Sequence, residues 1–256
     1  MVTYSVRVCR QSAKGRALCL PRIANMIKFS EQFATFISTT EELVDKVFPN
    51  LSTNIKDRNW LTERAILAPL NENINELNSS ILQRMSGAQG RVYTSIDKVV
   101  DDDEAVNYPI EFLNSLHPAG FPQHELILKV GAPIMLLRNI DPPKLCNGTR
   151  LIVTRMLNNL IQAEILSGQF AGQTVFVPRI PLISTDLMFS FKRLQFPVRL
   201  AFAMTINKSQ GQSLYDAGLE LSSPCFSHGQ LYVACSRVGR TSGLFIHCED
   251  RKTRND

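Results

Sequence analysis

None of the 13 glycines in this 256-residue chain is followed by lysine. That excludes a G-x-x-x-x-G-K-[ST] loop, whose backbone amides cradle phosphate while its lysine pairs with it. A strand ending in metal-holding acids is nearly as scarce. Only Val99-Val100-Asp101-Asp102-Asp103-Glu104 approaches one. Two valines make a poor strand and no phosphate loop lies upstream, so these acids read as a surface loop. The six cysteines form no C-x-x-C pair and share no metal-ligand spacing with the four histidines, so no metal site is expected. They read as reduced thiols, mostly buried. No apolar run approaches the roughly 18 residues that cross a bilayer, so no membrane partner is expected and the Asn147-Gly148-Thr149 triplet carries no glycosylation message. No acid precedes Glu31, whereas Arg7, Arg10, Lys14, Arg16, Arg22 and Lys28 do. Such a start suits a mitochondrial presequence, but it is poor in serine and lacks an amphipathic period. A basic strand-and-loop region, or an artefact of the gene model, fits residues 1–28 better.

What is present fits a globular protein of one or two domains: 44% hydrophobic, 20% charged, net charge +5 and pI near 8.9. The mild basicity is compatible with nucleic acid. Thr39 and Glu42 have capping-box spacing, and Leu43 and Val47 continue a helix that Pro49 ends. RAILAPL (64–70) reads as a buried strand, followed by a helix opened by Asn71 or Asn73 with Ile74, Leu77 and Ile81 on one face. Strand then helix is the unit of an α/β layer. Residues 91–96 read as a further strand. From 126 to 183 short β-rich runs alternate with turns at Gly131, Asn147-Gly148, Asn158-Asn159 and 168–172, which predicts a small antiparallel barrel. Arg138, Lys144, Arg150, Arg155 and Arg179 make it basic, each reading by itself as a solvated charge.

Two stretches carry the chemistry. Residues 200–214 read LAFAMTINKSQGQSL. Leu200, Ala203 and Met204 fall at i, i+3, i+4, which predicts a helix over 199–210 stopped by Gly211. Its end would gather Thr205, Asn207, Lys208, Ser209 and Gln210, groups that suit phosphate oxygens. Residues 227–240 read SHGQLYVACSRVGR. Ser227 and Gln230 have capping-box spacing, predicting a helix over 228–237 with Leu231, Ala234 and Cys235 inward. Tyr232 reads as a packing residue. Arginine at a helix C-terminus often only complements the dipole, which is the ordinary reading of Arg237. Strands are expected at 217–221 and 243–247.

Together, in this order, TINKSQGQSL resembles motif V and GQLYVACSRVGR motif VI of superfamily 1 helicases of the PIF and Helitron-transposon type, relatives of the RecD-like 5′-to-3′ DNA helicases. RAILAPLNENINELN (64–78) resembles their motif IV region. YPIEFLNSL (108–116), LKVGAPIMLLRNID (128–141) and LCNGTRLIV (145–153) resemble their inserted small β domain. The resemblance spans roughly 29–250.

It implies a second RecA-like α/β motor domain, residues 29–107 and 190–256, split by an SH3-like β-barrel over 108–189. It also implies that ATP and Mg²⁺ are held mainly by a first RecA-like domain, which this sequence lacks, so the chain reads as the C-terminal motor half, as a truncated copy, partial gene model or piece of a larger protein. Arg237 would be the arginine finger on the γ-phosphate. Gln210, Gly211 and Arg240 would line the nucleotide cleft. Thr205, Asn207, Lys208 and Ser209 would touch DNA or couple it to the cleft; Asn207 stands where many relatives have histidine and cannot be cationic. The implied partners are single-stranded DNA, duplex junctions and the first motor domain, with no obligate oligomer. The implied setting is replication, repair, recombination or telomere maintenance in the nucleus, with the mitochondrion as alternative. Two other readings stand beside this one: a non-enzymatic nucleic-acid-binding remnant of a Helitron-like element, and a protein-protein module built on the barrel.

Overall fold

The computed structural model describes residues 5–8, 18–23, 26–30, 32–101, 107–184, 187–248 and 252–254. It divides into two units, Met1–Arg84 with Phe202–Asp256, and Met85–Ala201. In the first unit the basic N-terminal segment supplies β1 (Ser5–Val8), β2 (Leu18–Ile23) and β3 (Met26–Lys28), completed into one sheet by β19 (Lys252–Arg254).

The centre of that unit is a five-stranded parallel sheet. In chain order it comprises β4 (Thr35–Ile37), β5 (Arg64–Ala68), β16 (Ala203–Thr205), β17 (Asp216–Glu220) and β18 (Leu244–His247); in space the order is β16-β5-β17-β18-β4. Helices cover such a sheet on its faces, so its strands are buried without alternation. All five residues of β17 are buried, as are Ala65 to Ala68 of β5. Between β4 and β5 lie α1 (Thr40–Val47), α2 (Leu51–Asn54) and α3 (Arg58–Thr62), and α4 (Asn71–Arg84) follows β5. The expected capping box opens α1: the Thr39 hydroxyl accepts from Glu42 N, and the Glu42 carboxylate accepts from Ser38 N. Ile74, Leu77 and Ile81 are the buried face of α4, as their spacing predicts.

α1 lies directly on Gly218 of β17. A Cβ there would sit 2.9 Å from Val47 Cγ2 and 3.1 Å from Leu43 Cδ1. Gly218→Ala is therefore expected to destabilise the unit by about 1–3 kcal/mol through overpacking. Chemical denaturation reads this as a lower midpoint at unchanged slope; an unchanged midpoint would count against so close a fit of α1.

The helix predicted over 199–210 does not exist. Val198–Leu200 (β15) is a strand of the second unit, Ala203–Thr205 is β16, and only Ile206–Ser209 turns, as one 3-10 turn. The cause is burial on every side. Ala201 to Met204 and Ile206 are all fully inaccessible, and a short apolar run buried all round has no period to distinguish strand from helix. β16 is an edge strand whose free side is closed by α4. The Asn78 amide donates to Ala203 O (3.0 Å) and accepts from Ala203 N (2.9 Å), standing in for a neighbouring strand. Gly211 does take the left-handed conformation, at φ +77°, but it follows a single 3-10 turn and not the helix it was expected to stop.

The helix predicted over 228–237 is shorter, α6 (Gln230–Cys235), capped by Gly229 at φ +75° rather than by Ser227. The Gln230 side chain instead accepts from Phe226 N, one residue before the Ser227 N–H that the expected capping box would use. Tyr232 is 45% exposed, so it is a surface residue and not the packing residue its sequence suggested.

In the second unit the strands are antiparallel: β6 (Gly90–Thr94), β7 (Ile96–Val99), β8 (Glu125–Lys129), β9 (Pro133–Leu136), β10 (Arg150–Met156), β11 (Leu160–Ile165), β12 (Thr174–Pro178), β13 (Ile180–Ser184), β14 (Phe191–Gln195) and β15, with one short helix, α5 (Ile110–Ser115). They form sheets β12-β11-β10-β9-β15, β13-β14-β7 and β6-β8. Tyr93, Leu128, Ile134, Leu151, Ile161 and Phe196 share one core. The unit begins and ends outside the expected 108–189. β6 pairs with β8, β7 with β14, and β15 with β9, so 90–99 and 191–200 are tied here and not to the parallel sheet. Val99, the stem of the acidic loop, pairs antiparallel with Phe191, which is no place for a metal-binding motor strand; Asp101 is exposed, and 102–104 lie outside the described residues.

Not all of its arginines are solvated. Arg150 is 3% exposed, and burial lowers its pKa to about 10. Arg179 stacks over Tyr93 and Phe196, and Arg138 over Phe121. Arg193, which drew no attention in the sequence, is wholly buried: it pairs with Asp97 through Nε–Oδ1 (2.9 Å) and Nη2–Oδ2 (2.6 Å), and donates to the carbonyls of Leu113, Leu116 and Pro122.

Candidate functional site

The 3-10 turn and α6 pack on each other, and Leu214 bridges Val238 in parallel, with Leu214 N donating to Arg237 O (2.9 Å). The two stretches singled out in the sequence thus form one surface of the first unit. Asn207, Gln210 and Gly211 are exposed on it; Thr205 and Lys208 are half-buried. Ser209 is not available there. It is fully buried, and its hydroxyl donates to Ile206 O (2.6 Å), closing the turn from inside. A direct contact of Ser209 with DNA is therefore ruled out in this conformation. Gln212, which no spacing singles out, donates through Nε2 to Lys208 O (3.2 Å) and holds the turn from outside.

Arg237 joins the two stretches. Its Nε donates to Val233 O (2.9 Å), Nη1 to Gln212 O (3.1 Å) and Ser209 O (3.4 Å), and Nη2 to Ser236 Oγ (2.8 Å). Val233 O is a C-terminal carbonyl of α6 that the helix cannot satisfy. The ordinary helix-end role is therefore real, but it uses one edge of the guanidinium. The rest is turned onto the loop after the 3-10 turn.

Arg240 is fastened elsewhere. Its guanidinium lies 3.2 Å from the Tyr215 ring centroid, Nε donates to Tyr215 O, and Nη2 meets Asp216 Oδ1 at 2.5 Å. The other oxygen of Asp216 meets Arg64 Nη2 at 2.8 Å. Gly243 leaves room for this: a Cβ there would fall 2.3 Å from Tyr215 O and 2.8 Å from Arg240 Nε. Arg240 thus braces the start of β17, and the structure does not bring it to Gln210 and Gly211. Among the described cysteines, Cys225 and Cys235 are buried, Cys146 and Cys248 partly so, and burial pushes the Cys225 thiol up to about 12. No group of three or more potential metal ligands occurs among the described residues.

A pairing that no local sequence pattern signals lies at the C-terminal ends of β17 and β18. Glu220 and His247 are register partners, and His247 Nδ1 sits 2.9 Å from both Glu220 oxygens. Thr40 Oγ1 and Ser222 N also donate to Glu220. Beside them a cavity of about 400 Å³ opens between α1 and α4. Residues 27 apart in sequence meet here only because parallel pairing sets them side by side.

Comparison with known proteins places this geometry. The model of a family described as DNA helicase Pif1, 2B domain, matches residues 111–156, within the antiparallel unit. The chain is 29% identical over 251 residues to the Danio rerio ATP-dependent DNA helicase PIF1, covering 93% of this chain and 37% of that one. It is 34% identical over 139 residues to the Bdellovibrio bacteriovorus ATP-dependent DNA helicase Pif1, covering 54% and 30%. The crystal structure of Pif1 helicase from Candida albicans matches with a TM-score of 0.56 at 25% identity, over 82% of this chain and 54% of that one. The fold is therefore that of a RecA-like α/β motor domain of the helicase kind, its sequence interrupted by the antiparallel unit. The chain is similar to the PIF1-type superfamily 1 helicases, and it spans less than half the length of the two curated relatives named.

Proposed function

We propose that this chain is the C-terminal motor half of an ATP-dependent, 5′-to-3′ DNA helicase. The observation that carries the proposal is the hydrogen-bonded junction of 205–212 with Arg237, which ties a polar, exposed turn to a guanidinium. In this reading a first RecA-like domain holds ATP and Mg²⁺, Gln210 and Gly211 edge the nucleotide cleft, and Arg237 is the arginine finger. Mg²⁺, held by that first domain, would neutralise phosphate charge. Arg237 would add a planar cation where transition-state charge spreads. Thr205, Asn207 and Lys208 face single-stranded DNA, directly or by coupling to it. The antiparallel unit, read as an SH3-like barrel, adds a second DNA contact, and duplex junctions are the substrate. Arg240 serves this site as a brace. Replication, repair, recombination and telomere maintenance in the nucleus are the settings such a motor serves.

The 256 residues alone are expected to show no ATP turnover, having no phosphate loop, and to bind single-stranded DNA weakly. With roughly two or three phosphate contacts, affinity should fall about tenfold between 50 and 200 mM salt, independent of sequence. Anisotropy titrations with oligonucleotides of different sequence test this. Binding absent at low salt, or indifferent to salt, would count against the DNA track. DNA binding that persists when the chain is joined to a first motor half, with no turnover gained, would favour the non-enzymatic remnant.

A further inference from the structure

Arg237 has five N–H groups, and four are committed: one to Val233 O, two to the carbonyls of Gln212 and Ser209, and one to Ser236 Oγ. The fifth, on Nη2, has no protein partner among the described residues. Ser236 is itself held, because its hydroxyl donates to Val233 O at 2.9 Å while accepting from Arg237 at 2.8 Å. Val233 O thus receives both side chains. The guanidinium plane is fixed by α6 on one side and by the 209–212 loop on the other, and Gln212 ties that loop back to Lys208 O.

We propose that Ser236 is a positioning residue for Arg237: with the loop carbonyls of Ser209 and Gln212 it forms a preformed cradle that leaves one Nη2 N–H to an incoming phosphate oxygen. The proposal rests on the reading that Arg237 meets nucleotide. The chemistry follows from the donor count. A guanidinium with both edges free grips phosphate through two parallel N–H bonds. This one offers a single bond in a fixed direction, so ordering the side chain costs nothing when the nucleotide arrives. Removing the Ser236 hydroxyl frees both Nη2 hydrogens and loosens the plane. That leaves nucleotide affinity near parental while the aligned state becomes rarer.

The test uses the full chain. Phenylglyoxal modifies accessible guanidinium groups, and peptide mass spectrometry reads the rate at each arginine. Arg155 is an exposed reference. In the parent, Arg237 should react more slowly than Arg155. Ser236→Ala should speed Arg237 by about fivefold, the effect of one net hydrogen bond, with Arg155 unchanged. Ser236→Thr keeps the hydroxyl and should stay at the parental rate. Ser236→Val, its shape-matched partner without the hydroxyl, should behave like alanine and settles the matter if the alanine variant does not fold. Arg237 reacting as fast as Arg155 in the parent, or equal rates in the threonine and valine variants, would overturn the cradle. In a motor completed with a relative's first half, Ser236→Ala should lower kcat with little change in KM. If Arg237→Ala leaves turnover intact there, the phosphate reading fails while the labelling still decides the cradle.

Discussion

Replacing Arg193 with methionine is expected to lower the stability of the antiparallel unit by about 3–5 kcal/mol, the cost of breaking a buried ion pair from one side. Asp97 would stay fully buried with its charge and keep only Ser95 Oγ, 2.7 Å away, as a close partner, with His124 Nδ1 at 3.8 Å. The carbonyls of Leu113, Leu116 and Pro122 would lose their donor as well. Those carbonyls end α5 and start the strand-bearing segment, so the loss should loosen 107–124 before the rest. Thermal denaturation should show a fall of roughly 10–20 °C for a unit of this size. The double variant Asp97→Leu/Arg193→Met removes both charges and should recover part of the loss. A single variant that melts within about 2 °C of the parent, or a double variant worse than the sum of the singles, contradicts this account of the pair.

Arg193 also marks where the sequence stops being legible. FKRLQ alternates, and a strand arginine at an inward position reads as a surface charge until Asp97, 96 residues away, is seen opposite it. The same blindness hid Glu220 with His247, which only register brings together. Local signals did better. The Thr39 capping box and the apolar face of α4 both act within a few residues, and each is where its spacing puts it. The stretch at 200–206 failed for a physical reason: a strand enclosed on all sides has lost the alternation that identifies strands, and chance i, i+3, i+4 spacing then imitates a helix. The motif residues were legible as a group but not in their individual roles. Ser209 faces inward and Arg240 braces Asp216, both because of partners that no spacing shows.

Arg237 carries the largest expected effect. If it is the arginine finger proposed above, it acts mainly on the transition state, so its loss should cut turnover by roughly 10³- to 10⁵-fold, the range seen when such fingers are supplied or withheld. Lysine should rescue poorly. A point charge on a flexible stem reproduces neither the fork nor the bonds to Val233 O, Gln212 O and Ser236 Oγ. Nucleotide binding should then fall far less than turnover, because a finger does not supply uniform ground-state binding. The helix-end role predicts something else. A C-terminal arginine contributes about 0.3–1 kcal/mol through the dipole, and each hydrogen bond of a charged donor about 1.5–3 kcal/mol. Loss would then lower the melting temperature and leave turnover per folded molecule nearly intact.

The measurement is DNA-stimulated ATP hydrolysis by this chain fused to the phosphate-loop half of a relative, comparing the parent with Arg237→Ala and Arg237→Lys on preparations whose folded fraction is fixed by thermal denaturation. A motor half that supplies the finger gives a parent that turns over ATP and two variants that are nearly silent while still binding nucleotide. Turnover near the parental rate in the folded alanine variant contradicts it.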